Sequence, residues 1–136
     1  MKKHLFSGLI ILTIFAVLAG NASAQSAIMR ATIPFDFYVG KTAFPSGEYQ
    51  VQRVSSVVLR ISGNGGQSTF VIPMPYQSLA PAKSGALIFH RYGEQYFLAR
   101  TVWMGRWDGQ AFAPSSLETE LARNYHTPST LALVAK

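Results

Sequence analysis

The chain has 136 residues, is 49% hydrophobic and 13% charged, contains no cysteine and carries a formal charge of +6. Those figures leave room for one domain and exclude a disulfide framework, a cysteine-ligated metal site and a long charged tail.

The chain opens with Lys2 and Lys3, then Leu5 to Gly20 without a charge, then the small residues Ala22-Ser23-Ala24. That order predicts a secretory signal over residues 1–24, cleaved before Gln25. The apolar run is short for a spanning helix, which needs about 20 residues, so no permanent membrane span is expected after cleavage. A lipid-anchored export signal needs a cysteine at the cleavage point, and none is present. The expected product is exported, periplasmic or extracellular, with one β-rich domain over 25–136. Losing Lys2 and Lys3 and none of the six acids lowers its formal charge to +4. The remaining cations are scattered without a basic stripe, which argues against nucleic acid as a partner. With no cysteine to staple it, this domain must be held by packing, and each large ring it buries removes about 150–250 Å² from water.

In chain order, 28–33 and 35–39 are β-prone pieces separated by Pro34, with Phe35, Phe37 and Val39 on one face. Pro45-Ser46-Gly47 predicts a turn. Strands follow at 48–54 and 57–61, and a three-residue loop between them pairs Tyr49 with Ile61 and Val51 with Leu59. Asn64-Gly65 predicts a two-residue type I′ turn that pairs Leu59 with Phe70 and Val57 with Ile72 on the same apolar face. Residues 73–85, with Pro73, Pro75 and Pro81, predict a loop. The clearest hairpin runs from Ala86 to Tyr92 and from Tyr96 to Trp103 around Gly93-Glu94. It pairs His90 with Phe97, Ile88 with Ala99 and Phe89 with Leu98, and apolar residues on both faces predict cover on both sides. A short strand is expected at 110–113. Ser115 and Glu118 have capping-box spacing ahead of a helix over 115–124, and Leu131 to Ala135 predicts a last strand. The fold class is all-β, an antiparallel meander forming a small barrel or sandwich, with one short helix near the C-terminus. Its short, proline-interrupted strands do not suit an outer-membrane barrel.

No HExxH, GxSxG, phosphate-loop or dinucleotide signature occurs, so no catalytic, cofactor-binding or metal-ligating residue is assigned. His90 lies in the hairpin, where a structural role competes with that of a base acting with Asp36 or Asp108; His126 follows the helix in a polar stretch. The segment Trp103-Met104-Gly105-Arg106-Trp107-Asp108-Gly109 is the most unusual. Two indoles around Arg106 suit an exposed stacking surface for sugar rings or a hydrophobic partner, and equally suit packing, with Trp103 ending a core strand and Trp107 capping the fold. Candidate ligand-binding residues are therefore His90, Trp103, Arg106 and Trp107.

The segments Ile33-Pro34-Phe35-Asp36-Phe37-Tyr38-Val39-Gly40, Pro45-Ser46-Gly47-Glu48-Tyr49, Phe89-His90-Arg91-Tyr92-Gly93 with Tyr96-Phe97-Leu98, and Glu120-Leu121-Ala122-Arg123 resemble an uncharacterised group of small exported bacterial β-rich proteins. The resemblance implies bacterial export and a single unit, and no activity. Together these features predict a non-catalytic secreted or periplasmic module with a structural or interaction role in the cell envelope, its partner an envelope polymer or protein. The alternatives are a carrier of a small apolar ligand inside a β-barrel and a hydrolase using His90.

Overall fold

A computed structural model describes residues 26–136, so the expected signal at 1–24 lies outside the described residues. Eleven strands and one helix follow in order: β1 (Ile28–Ile33), β2 (Phe37–Val39), β3 (Thr42–Phe44), β4 (Gly47–Arg53), β5 (Leu59–Gly63), β6 (Ser68–Val71), β7 (Met74–Gln77), β8 (Gly85–Tyr92), β9 (Gln95–Val102), β10 (Asp108–Ala111), α1 (Ser116–Asn124) and β11 (Ser129–Ala135). One sheet has the order β1-β4-β5-β6 and the other β11-β8-β9-β10-β7, with β2 joined to β9 and β3 to β2. Among the described residues the ladders do not close into a barrel, so of the two expected architectures the sandwich is the one formed. The sheets meet at one edge, where Arg30 N–H donates to Lys136 O (2.7 Å) and Lys136 N–H to Arg30 O (2.9 Å).

The core follows from strand alternation. Met29, Ala31 and Ile33 of β1, Tyr49 and Val51 of β4, and Leu59 and Ile61 of β5 face inward against Leu87 and Phe89 of β8. Phe37, Phe44, Tyr49 and Phe89 form a ring cluster with centroids 5.0 to 5.8 Å apart, within the range where edge-to-face and offset contacts are favourable.

Two registers differ from expectation. The β4–β5 connection keeps its odd parity, but Val51 pairs with Ile61 and Tyr49 with Gly63, a slip of two residues. Val54 N–H donates to Val58 O, so the three loop residues are Ser55, Ser56 and Val57. This leaves Val57 in solvent and puts two buried branched side chains opposite each other. At the next turn Gly63 N–H donates to Gln67 O, and Gly66 takes φ +86, giving a three-residue loop instead of the two-residue type I′ turn. One extra residue exchanges the two faces of β6. Phe70 is consequently paired with Arg60 and 61% exposed, Ile72 is also exposed, and Val71 takes the inward position opposite Leu59. The Arg60 guanidinium lies over the Phe70 ring at 5.9 Å, covering part of it.

The region 73–85 is also not all loop. Met74–Gln77 pairs with β10, and Pro75 is accommodated because β7 is an edge strand that needs no further donor. The central hairpin has the expected register from Tyr92–Gln95 to Phe89–Leu98, then a bulge that pairs Ile88 with Arg100 in place of Ala99. The extra residue lets Phe97, Leu98 and Ala99 all be buried in succession. Both faces are covered, as the sequence predicts: Phe89 and Leu98 join the core, while Phe97 lies under Tyr38 (5.1 Å, stacked).

β10 approaches β9 closely at Gly109, where an added Cβ would lie 2.5 Å from the Thr101 carbonyl oxygen. Backbone cannot yield as a flexible side chain does, so Gly109→Ala is expected to lower the unfolding free energy by about 1–3 kcal/mol in urea titration, whereas Gly66 replaced by Asn should cost far less.

Candidate functional site

The four candidate residues lie at two ends of the molecule. His90 is five residues along β8 from Gly85, about 17 Å at the rise of a strand, and Trp103 follows β9 at the Gly85 end. His90 does not meet Asp36 or Asp108 but Glu118: its Nδ1 is 3.1 Å from Glu118 Oε1, which also accepts a bond from the Tyr92 hydroxyl at 3.4 Å. Asp36 instead accepts Ser46 N–H, and Asp108 is held by Arg106.

Glu118 comes from the first turn of α1. Ser115 caps this helix by accepting Glu118 N–H (3.2 Å), the half of the capping box that the spacing predicts. The reciprocal half is diverted, because the Glu118 carboxylate reaches His90 and Tyr92 rather than the cap. It is the buried residue of a helix whose Leu117, Leu121 and Ala122 are only half-buried. A buried carboxylate with a ring nitrogen and a hydroxyl on one oxygen docks the helix through polar contacts rather than an apolar stripe. Burial first, and the charge and hydrogen bond of Glu118 after it, hold the Tyr92 phenol above its ordinary pKa. Among the described residues no group of three or more His, Asp or Glu is placed to hold a metal ion.

At the other end, Trp103 is buried, and its indole N–H donates to Gln110 Oε1, which also accepts Thr101 Oγ1 at 2.8 Å. The Arg53 guanidinium lies 5.4 Å from the Trp103 ring centroid. Trp103 O accepts Arg106 N–H, and the resulting turn is clasped to the preceding loop: Gly105 N–H donates to Ala82 O and Ala82 N–H to Arg106 O. Arg106 holds Asp108 with two bonds (2.7 and 2.9 Å), and this pairing keeps the Asp108 carboxyl below the usual range. Trp107 is 58% exposed beyond this clasp.

Trp103 and Arg106 share a groove, and His90 and Trp107 lie outside it. The groove, about 570 Å³, is walled by Ile28, Met29, Met104, Val134 and Ala135, where the start of β1, the end of β11 and the turn after β9 meet. Val134 and Met104 are 71% and 72% exposed. The sequence reading reaches Trp103 and Arg106 but not Ile28, Val134 or Arg53, because these come from strands far apart in the chain. The available local signal is parity: with Met29, Ala31 and Ile33 inward, Ile28 must face out.

Comparisons with protein-family models, with curated proteins and with solved structures gave no match.

Two outcomes follow from the Glu118 cluster. Glu118→Ala strands two donors, and urea unfolding should show a loss of about 1–3 kcal/mol, with Glu118→Gln losing less. For Tyr92, the folded protein keeps a phenolic proton that the unfolded chain gives up near pH 10, so this contribution is intact below pH 10 and is lost as pH rises through the higher folded-state value. Unfolding free energies measured from pH 8 upward should fall more gently above pH 10 in Tyr92→Phe than in the parent.

Proposed function

We propose that this protein is a non-catalytic, exported module that acts in the cell envelope by binding, with the groove beside Trp103 as its binding face. One observation carries the proposal: a concave, apolar surface is built from four separate parts of the chain and left open, with the exposed side chains Ile28, Met104 and Val134 on its walls. Convergence of apolar walls with a few polar groups is what binding sites in general have. Exposed apolar surface of this kind costs solubility unless something covers it.

The interior offers less support for a carrier. Leu59 and Phe89, which would line a chamber between the sheets, belong to one continuous packed cluster with Ile61, Leu87 and Phe37. The His90 nitrogen nearest a carboxylate is engaged in docking α1, which supports a structural use of that histidine. The export signal read over residues 1–24 supports the envelope as the place of action.

The test is retention of an envelope component by the immobilised protein at physiological salt. Parent protein should retain a component that Met104→Glu/Val134→Glu, altered at two exposed positions, retains about tenfold less well, with both proteins unfolding at the same urea midpoint. Equal retention by the two, or none by the parent, overturns the proposal.

A further inference from the structure

The groove does not stand alone. A second hollow of about 570 Å³, containing Arg53, shares Ala27 and Arg106 with it, and a third of about 520 Å³, containing Arg30, shares Val134 and Lys136. An apolar trough is thus flanked by cationic side chains, Arg53 and Arg106 on one side and Arg30 and Lys136 on the other. Asp108 lies beside Arg106, which already holds it with two bonds. The other acids with side-chain partners are committed elsewhere: Asp36 to Ser46, Glu48 to Asn64, Glu94 to Arg91 and Glu118 to His90.

Arg53 is the informative residue. Its Nε and Nη2 are shut off from solvent and have no hydrogen-bond acceptor among the described residues. Its guanidinium carbon lies over the Trp103 ring, a contact that supplies no hydrogen-bond acceptor in the ring plane of the kind an oxyanion offers. A buried donor without an acceptor is unfavourable, and a guanidinium is shaped to pair with two oxygens of one carboxylate or phosphate.

We propose that the groove takes a single-chain amphiphile with an oxyanion head, its alkyl chain lying along Ile28, Val134 and the Trp103 ring and its head in the adjoining hollow that Arg53 and Arg106 line. This rests on the reading of the groove as the binding face and names its ligand class. The ligand is a free monomer rather than a bilayer surface. Met29, Trp103 and Ala135 form a buried floor that a flat membrane cannot reach, whereas a separate chain can enter the trough. The groove also falls in the size range of small-molecule sites, roughly 300–1,000 Å³.

Trp107→Phe leaves Trp103 as the single indole and therefore a reporter inside the groove. Its emission, titrated with dodecanoate below the micellar concentration, should change saturably with one site. Dodecyl maltoside and dodecyltrimethylammonium should bind about tenfold or more weakly, and vesicles of anionic phospholipid should leave the emission unchanged. Arg53→Gln in this background should weaken dodecanoate about tenfold while leaving dodecyl maltoside unaltered. Arg106→Gln, at an exposed position, should also weaken dodecanoate, because it releases Asp108 to satisfy Arg53 from within. No saturable response to dodecanoate, binding that ignores the head group, or a response to vesicles alone overturns the proposal. If dodecanoate fails while the envelope component is still retained by the parent and lost by Met104→Glu/Val134→Glu, the ligand class falls and the binding face stands; failure of both removes both.

Discussion

Phe89 is completely buried, and the domain is arranged around the hairpin to which it belongs. β8 and β9 are the longest strands, and they are flanked by β11 on one side and by β2 and β10 on the other. Without a disulfide, the domain depends on side-chain packing around this ladder, and inward and outward positions of β9 are both buried. A single bulge makes that possible by changing the phase of β9 between Leu98 and Arg100, so that Leu98 and Thr101 both point inward and Phe97 is left for the outer layer.

The same hairpin separates two kinds of chemistry. At its turn, Arg91 is bonded to Gly93 and Glu94, and Glu118 comes down from the helix onto His90 and Tyr92. Acids and their partners there are mutually satisfied, and the result is a docked helix. At the open end, Trp103 is held from within by Gln110 and from one face by Arg53, and the cations around it outnumber the carboxylates. The buried floor and the unsatisfied guanidinium are thus consequences of the same arrangement: strand ends that must stop at a sheet junction leave a trough, and the long side chains at those ends fold across it.

Sequence periodicity was informative where it concerned a face and weak where it concerned a count. Alternation along β4 and β5 identifies the inward residues, because burying one face of a pleated strand requires it. Pairing depends on how many residues a turn consumes, and Ser55-Ser56-Val57 and Asn64-Gly65-Gly66 each admit more than one closure. A slip of two left Tyr49 and Val51 on the correct face, whereas a slip of one carried Phe70 to the outside. Pro75 reads as a loop residue until the position of β7 at a sheet edge is known. Glu118 reads as half of a capping box until His90 is seen beneath it; a local motif cannot register a competing partner 28 residues away.

The sequence by itself determined the β-rich class, the approximate positions of the strands other than β3 and β7, the helix start at Ser115, and the unusual character of the Trp103 to Asp108 segment. All of these depend on neighbours in the chain: side-chain alternation, dihedral preference and capping are properties of a few consecutive residues. Tertiary structure alone decided that the sheets form a sandwich, that Trp107 stays outside while Trp103 is buried, and that Ile28, Arg53 and Val134 surround it. Those outcomes depend on which strand edges meet, and that is settled by packing over the whole core, to which no single stretch of sequence has access.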